Sequence, residues 1–147
     1  MKKSERRLRE LKALAANNNG VLTPDAVVAR ASNPKSALHD AFEWDDTEAA
    51  RKYRLEQARQ LIRVCIEVIG DGVDERKVTA FVALREDRYG AGGYRHIPTL
   101  VQTRQGRDAL LDTALWELRA YEEKYSELKE LMPVFVAARR VRRAHEK

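Results

Sequence analysis

The chain has 147 residues and one cysteine, Cys65, so an intrachain disulfide and a cysteine-built zinc site are both excluded. No apolar run approaches the roughly 18 residues that span a bilayer, and no apolar h-region follows the basic N-terminus, so neither a membrane span nor a signal peptide is expected. A formal net charge of +5 permits a polyanionic partner, and the charge is unevenly placed. Lys2, Lys3, Arg6, Arg7, Arg9 and Lys12 open the chain, and Arg139, Arg140, Arg142, Arg143 and Lys147 close it. Between them lies an acidic run of Asp40, Glu43, Asp45, Asp46 and Glu48.

In chain order, Leu8, Leu11, Leu14 and Ala15 recur at helical spacing, which predicts a first helix from Ser4, as cap, to about Ala16. Asn17-Asn18-Asn19-Gly20 should end it, because Asn and Gly tolerate the left-handed conformation. After a short extended Val21-Leu22, Thr23 at N-cap and Pro24 at N1 start a second helix running to Ala31. Ser32-Asn33-Pro34 breaks it and predicts a third helix from about Pro34 to Phe42. A fourth is expected after a cap at Asp45 or Asp46, with Ala50, Tyr53, Leu55, Ala58, Leu61 and Ile62 as its buried stripe.

Near Arg63 the period changes from helical to alternating. Val64 to Ile69, Val78 to Leu84 and Tyr94 to Thr99 read as strands separated by Gly70-Asp71-Gly72 and Gly90-Ala91-Gly92-Gly93. The simplest arrangement is a three-stranded antiparallel meander, with Pro98 at an edge or a strand end. From about Arg104 the pattern is helical again: Leu111, Ala114, Leu118, Tyr121, Tyr125, Leu128, Met132 and Phe135 keep an a/d spacing for over three heptads. Pro133 should kink this long helix or start a new one. The expected fold class is α+β in one domain, with a helical unit at 1–62, an antiparallel sheet at 63–100 and a C-terminal helix at 103–147 as a possible oligomerisation element.

Candidate sites follow from this layout. The N-terminal helices resemble a helix-turn-helix, whose second helix enters the DNA major groove. Here that helix would present Lys35, Ser36 and His39 to bases, a meagre reading set followed at once by acids. His39 and Glu43, four apart on a helix, could share a cation; the competing account makes Asp45 and Asp46 caps and puts Phe42 and Trp44 in the core. The glycine run lacks the lysine and Ser/Thr of a P-loop, although Arg85, Arg88, Arg95, Tyr89 and Tyr94 around it make a secondary nucleic-acid candidate. Cys65 reads as a buried structural thiol, and His96 and His145 stand alone in sequence. In the tail, Arg139, Arg140, Arg142 and Arg143 are suited to phosphate contacts.

The segment S-x-L-H-D-x-F-E-W-D-D-T-x-A-A-x-x-Y-R-x-x-Q-A-R-x-L-I-R, from Ser36 to Arg63, resembles a pattern found in small phage and prophage proteins of no assigned activity. There, too, it follows N-G-x-L-T-P, here Asn19 to Pro24, and precedes a strand region and a C-terminal helix. The resemblance implies a bacterial cytoplasmic setting and a role in phage genome biology, and carries over no functional residue. The expected function is a non-enzymatic, DNA-binding accessory or regulatory protein that contacts duplex DNA and itself, as a homodimer, without cofactor or metal. The alternative is a protein-protein adaptor or assembly protein using the acidic HDAFEWDD face and the long helix. A metal-dependent nuclease is the third reading.

Overall fold

The computed structural model describes residues 2–44, 47–89 and 92–147 of the chain, which divides into two compact units at Leu100/Val101. In the first, helix α1 (Lys3–Asn17) begins one residue before Ser4, so that Ser4 lies inside it, and the backbone N–H of Lys2 donates to Glu5 at 3.0 Å. The Asn-Gly stop forms as expected. Asn19 (φ 51°) and Gly20 (φ 79°) turn left-handed, and the Gly20 N–H returns to the Ala15 carbonyl at 2.7 Å. Helix α2 (Pro24–Ala31) carries the expected cap, with Thr23 Oγ1 accepting from the Ala26 N–H at 3.2 Å.

The helix expected from Pro34 to Phe42 does not form. Turns lead to one short 3-10 turn at His39–Ala41, after which Phe42 is extended. Side chains from the neighbouring helices hold this segment by its backbone, an option that outcompetes a short helix in a polar, Asn- and Ser-rich stretch. Helix α3 (Glu48–Arg63) is capped by Thr47, whose Oγ1 accepts from the Ala50 N–H at 3.2 Å; the proposed caps Asp45 and Asp46 lie outside the described residues. Its inner face is Ala58 and Ile62, but Tyr53, expected in the stripe, is 58% exposed.

The three-stranded meander is replaced by two small antiparallel pairs. Strands β1 (Ile66–Ile69) and β2 (Arg76–Thr79) form a hairpin with Ile66 opposite Thr79. Strand β3 (Phe81–Val82) pairs with β4 (Arg95–His96), Phe81 opposite His96. The single strand expected over Val78 to Leu84 is thus divided at Ala80. The Ala80 N–H still donates to the Cys65 carbonyl (2.9 Å), while its carbonyl accepts from Ile97 (2.8 Å), so the chain changes partner at this buried, small residue. A bridge between Leu22 and Tyr94, with N–H···O distances of 2.6 and 2.7 Å, joins the link before α2 to the start of β4. That close approach needs Gly93, where an added Cβ would come within 2.4 Å of Val21 Cγ1. The third strand stops at His96 because Pro98 lacks the donor a ladder needs and instead enters the one-turn helix α4 (Ile97–Leu100).

The core of this unit is continuous: Leu11 and Ala15 from α1, Leu22, Val27 and Ala31, Leu38 and Phe42 from the irregular segment, Ala58 and Ile62, and Ala80 and Phe81. Each fully buried Leu or Ile contributes roughly 1.5–3 kcal/mol relative to exposure. The irregular segment is therefore built into the core.

In the second unit, helix α5 (Arg104–Lys124) starts at Thr103, whose Oγ1 accepts from the Gly106 N–H at 3.0 Å. The expected long helix is not kinked at Pro133. It ends at Tyr125, and after a 3-10 turn at Lys129–Leu131 a separate helix α6 (Met132–His145) begins, with Pro133 in its first turn, where a missing donor costs nothing. Helix α6 packs against α5, with Phe135 and Ala138 on its buried side.

Candidate nucleic-acid interface

The spacing of apolar residues in α6 fixes which arginines face outward. With Phe135 (2% exposed) and Ala138 (8%) turned inward, Val136, Arg139, Arg140 and Arg143 follow at i, i+3, i+4 and i+7 and share one side. These four line a cleft of about 170 Å³. Arg139 is anchored there, its Nε donating to Glu122 Oε1 of α5 at 2.8 Å and its Nη2 to the same oxygen at closer range. That bond holds the Arg139 pKa above its ordinary value, so the group is a permanent cation in fixed position. Arg142 points to a different side of the helix and is half-buried. The sequence treated the four as one set; the structure groups Arg139, Arg140 and Arg143 and separates Arg142.

The other expected site is dismantled. Lys35 is exposed, but Ser36 is only 8% exposed and cannot face bases. Its Oγ donates to Glu10 Oε2 at 2.6 Å, while the Ala37 N–H donates to Glu10 Oε1 at 2.9 Å and Arg30 Nε to Glu10 Oε2 at 3.0 Å. Burial of Glu10 raises its pKa, yet these hydrogen bonds from Ser36, Ala37 and Arg30 outweigh it and leave the carboxyl below its ordinary value. His39, half-buried, donates from Nδ1 to the Ala31 carbonyl at 2.8 Å and stacks on Trp44 with ring centroids 5.1 Å apart at 9°. The Trp44 indole N–H in turn donates to the His39 carbonyl at 3.0 Å. Because the segment is not helical, His39 and Glu43 do not share a helix face, and among the described residues no group of three or more His, Cys, Asp or Glu is placed to hold a metal ion.

Within the acidic run, Asp40 is not free either. Asp40 is clasped by Lys3 and by Arg7, whose Nη2 lies 3.0 Å away, and these hydrogen bonds pull its pKa down to about 2. Arg7 Nε also donates to the Ala37 carbonyl at 3.1 Å. Part of the N-terminal basic cluster is thus consumed inside the protein, which leaves α6 as the clearer electropositive surface.

One cluster escaped the sequence. Glu67 on β1 accepts from Lys12 Nζ (2.6 Å) and from His96 Nε2 (2.5 Å), and His96 Nδ1 meets the Thr99 hydroxyl at 2.7 Å. Burial pushes the Glu67 pKa up, but the bonds from Lys12 and His96 prevail and lower it. Its partners lie 55 and 29 residues away, so no local spacing announces it. It joins α1, β1, β4 and α4, and every polar atom in it is engaged by another, which is the arrangement of a structural clamp. Burial and the neighbouring Glu67 also push the Cys65 thiol above its ordinary range.

Comparison with protein-family models, curated proteins and solved structures finds no match, so the functional reading rests on this chain's own residues. No described helix is long and apolar enough to cross a membrane.

Proposed function

We propose that this protein is a non-enzymatic DNA-binding accessory protein that grips duplex DNA through its phosphates and does not read bases through a helix-turn-helix. The observation that carries this reading is the α6 face, where Arg139, Arg140 and Arg143 surround one cleft and Arg139 is held in place by Glu122. Each of three guanidinium groups can bond phosphate oxygens, and each neutralised phosphate releases condensed counterions. The resemblance of the Ser36–Arg63 segment to phage and prophage proteins accords with such a role in a bacterial cytoplasm. The protein acts as a homodimer through α5. Leu111 (37% exposed), Leu118 (37%) and Tyr121 (58%) of the a/d stripe lie open on the single chain, a self-complementary pattern that a second copy would cover.

The test is fluorescence anisotropy with a random-sequence duplex at several salt concentrations, on the wild type and on the Arg139→Ala/Arg140→Ala/Arg142→Ala/Arg143→Ala variant. Wild-type affinity is expected to fall with salt at a log–log slope of about 0.9 per phosphate contacted, and the variant to bind more weakly on all sequences with a flatter slope. Absence of duplex binding by the wild type at low salt would sink the proposal.

A second reading, a protein-protein adaptor, is favoured by a different surface. A groove of about 460 Å³ runs along α3, lined by Ala41, Tyr53, Leu61 and Val64 together with Glu56, Gln57 and Gln60, and on β1 Ile66 and Val68 stand 54% and 48% exposed. Exposed apolar side chains of this kind suit a protein partner. The acidic HDAFEWDD face is a weaker candidate, because Asp40 is already paired and Phe42 is buried. Capture of a defined partner that Leu61→Asp abolishes, with no DNA binding, would favour this reading.

A further inference from the structure

The first unit contains a second cationic cleft, of about 260 Å³, formed where three separated stretches of chain meet. Pro24 opens α2 on one side, Arg59 and Arg63 project from successive turns of α3, and Ala83, Asp87, Arg88, Gly92, Gly93 and Tyr94 close the other side. The one carboxylate among these residues does not offset the arginines. Both Asp87 oxygens are engaged by Arg95, through Nε at 2.6 Å and Nη2 at 2.9 Å, and this bidentate pair raises the Arg95 pKa. Among the described residues, the carboxylate that Arg59 and Arg63 meet is the exposed Glu56, at 3.3 and 3.7 Å. Solvent-exposed pairs of this kind are worth little and exchange readily for a better anion. Beside Arg88, the Tyr89 ring is 82% exposed.

We propose that this cleft binds the sugar-phosphate backbone of a single-stranded nucleic acid, with Arg59 and Arg63 holding a phosphate and Tyr89 stacking on an adjoining unpaired base. The cleft, of about 260 Å³, has room for a phosphate and its sugar, and Tyr89, which follows the lining residue Arg88 in sequence, offers an exposed ring to a base. Tyr89 decides between single strand and duplex, because an exposed ring is useful to a base only when that base is unpaired. The Leu22–Tyr94 bridge ties one wall of the cleft to the link before α2, and Gly93 brings backbone against Val21. The inference rests on the reading of this protein as a nucleic-acid binder, but it uses a surface separate in sequence from α6 and a different form of the polymer.

The test uses the full chain and two probes, a labelled oligothymidylate and a labelled duplex of equal length, in low-salt anisotropy titrations. Arg59→Ala/Arg63→Ala should weaken the oligothymidylate complex about tenfold or more, and Tyr89→Ala about five- to 150-fold, the span of base–aromatic stacking. Tyr89→Trp should retain affinity, and its added emission should be quenched on binding. The α6 quadruple variant should lose duplex affinity and keep that for oligothymidylate. Unchanged oligothymidylate affinity in the double-arginine variant, or no oligothymidylate binding by the wild type, overturns the proposal. Displacement of the oligothymidylate by equimolar thymidine monophosphate also overturns it, in favour of a nucleotide site. Duplex binding without single-strand binding would sink this inference alone, and the reverse would sink the α6 reading alone. Half-buried Arg59 and exposed Arg63 leave the fold intact on substitution, which an unchanged urea midpoint verifies.

Discussion

The loop over residues 32–44 and helix α6 are both dense in the side chains from which function is usually argued, and the structure treats them oppositely. In the loop, Ser36, His39, Asp40 and Trp44 are each bonded to a neighbour: Glu10, the Ala31 carbonyl, Lys3 with Arg7, and the His39 carbonyl. In α6, Arg140 and Arg143 face outward around a cleft, and among the described residues the ion pair on that face is Arg139 with Glu122. The loop's chemistry is spent on holding the loop. A polar residue becomes available to a ligand only where the fold leaves its bonding capacity unused, and chemical richness in sequence does not say which case applies.

That contrast can be broken first at Glu10 and Leu38. Glu10→Ala leaves the Ser36 hydroxyl, the Ala37 N–H and Arg30 without their acceptor and should cost about 2–4 kcal/mol, read as a lower urea midpoint. Leu38→Ala opens a cavity at a fully buried position and should cost about 2–5 kcal/mol by the same measurement. Neither change should alter DNA affinity per folded molecule. A substantial loss of affinity in folded Glu10→Ala would return the loop to the functional surface. Next in size is Gly93→Ala, where the new Cβ meets Val21 and the Leu22–Tyr94 bridge must shift, costing about 1–3 kcal/mol in chemical denaturation.

Acid sharpens the comparison further. The carboxyls of Glu10, Asp40 and Glu67 all have folded pKa values below their ordinary ones, Asp40 at about 2. A depressed carboxyl stabilises the fold fully above its unfolded pKa and loses that contribution as pH falls through the folded value. The urea midpoint should therefore hold near neutrality and fall from about pH 4.5 downward, with Asp40→Asn flattening the part between about 4 and 2. A midpoint independent of pH over that range would mean that these pairs do not contribute. The smallest effect belongs to α6, where removing its four arginines should leave the urea midpoint nearly unchanged while weakening DNA binding most. A large loss of stability would make Arg139 and its Glu122 pair part of the fold, not of an interface.

Thr23-Pro24, Asn19-Gly20 and the helical character of α1, α3 and α5 were legible because caps, left-handed stops and helical periodicity are written within a few residues, whereas the buried face of α5, with Thr113 and Leu115, is not the expected stripe. The positive charge of the tail was equally plain, and so was the start of a new helix beside Pro133. Partner choice over distance was not. The failure of the Pro34–Phe42 helix depends on Glu10 and Arg7 reaching across from α1. The division of one alternating run at Ala80 depends on which strand lies on either side of it, Cys65 before and Ile97 after. The Lys12–Glu67–His96 clamp and the cleft that sets Arg59 and Arg63 opposite Gly92 and Tyr94 exist only once distant segments meet. The sequence by itself determined the local elements and the sign of the charge at each end. Tertiary packing alone decided which of those charges are spent within the protein, because pairing satisfies whichever groups the fold brings within about 3 Å of each other, regardless of their separation along the chain.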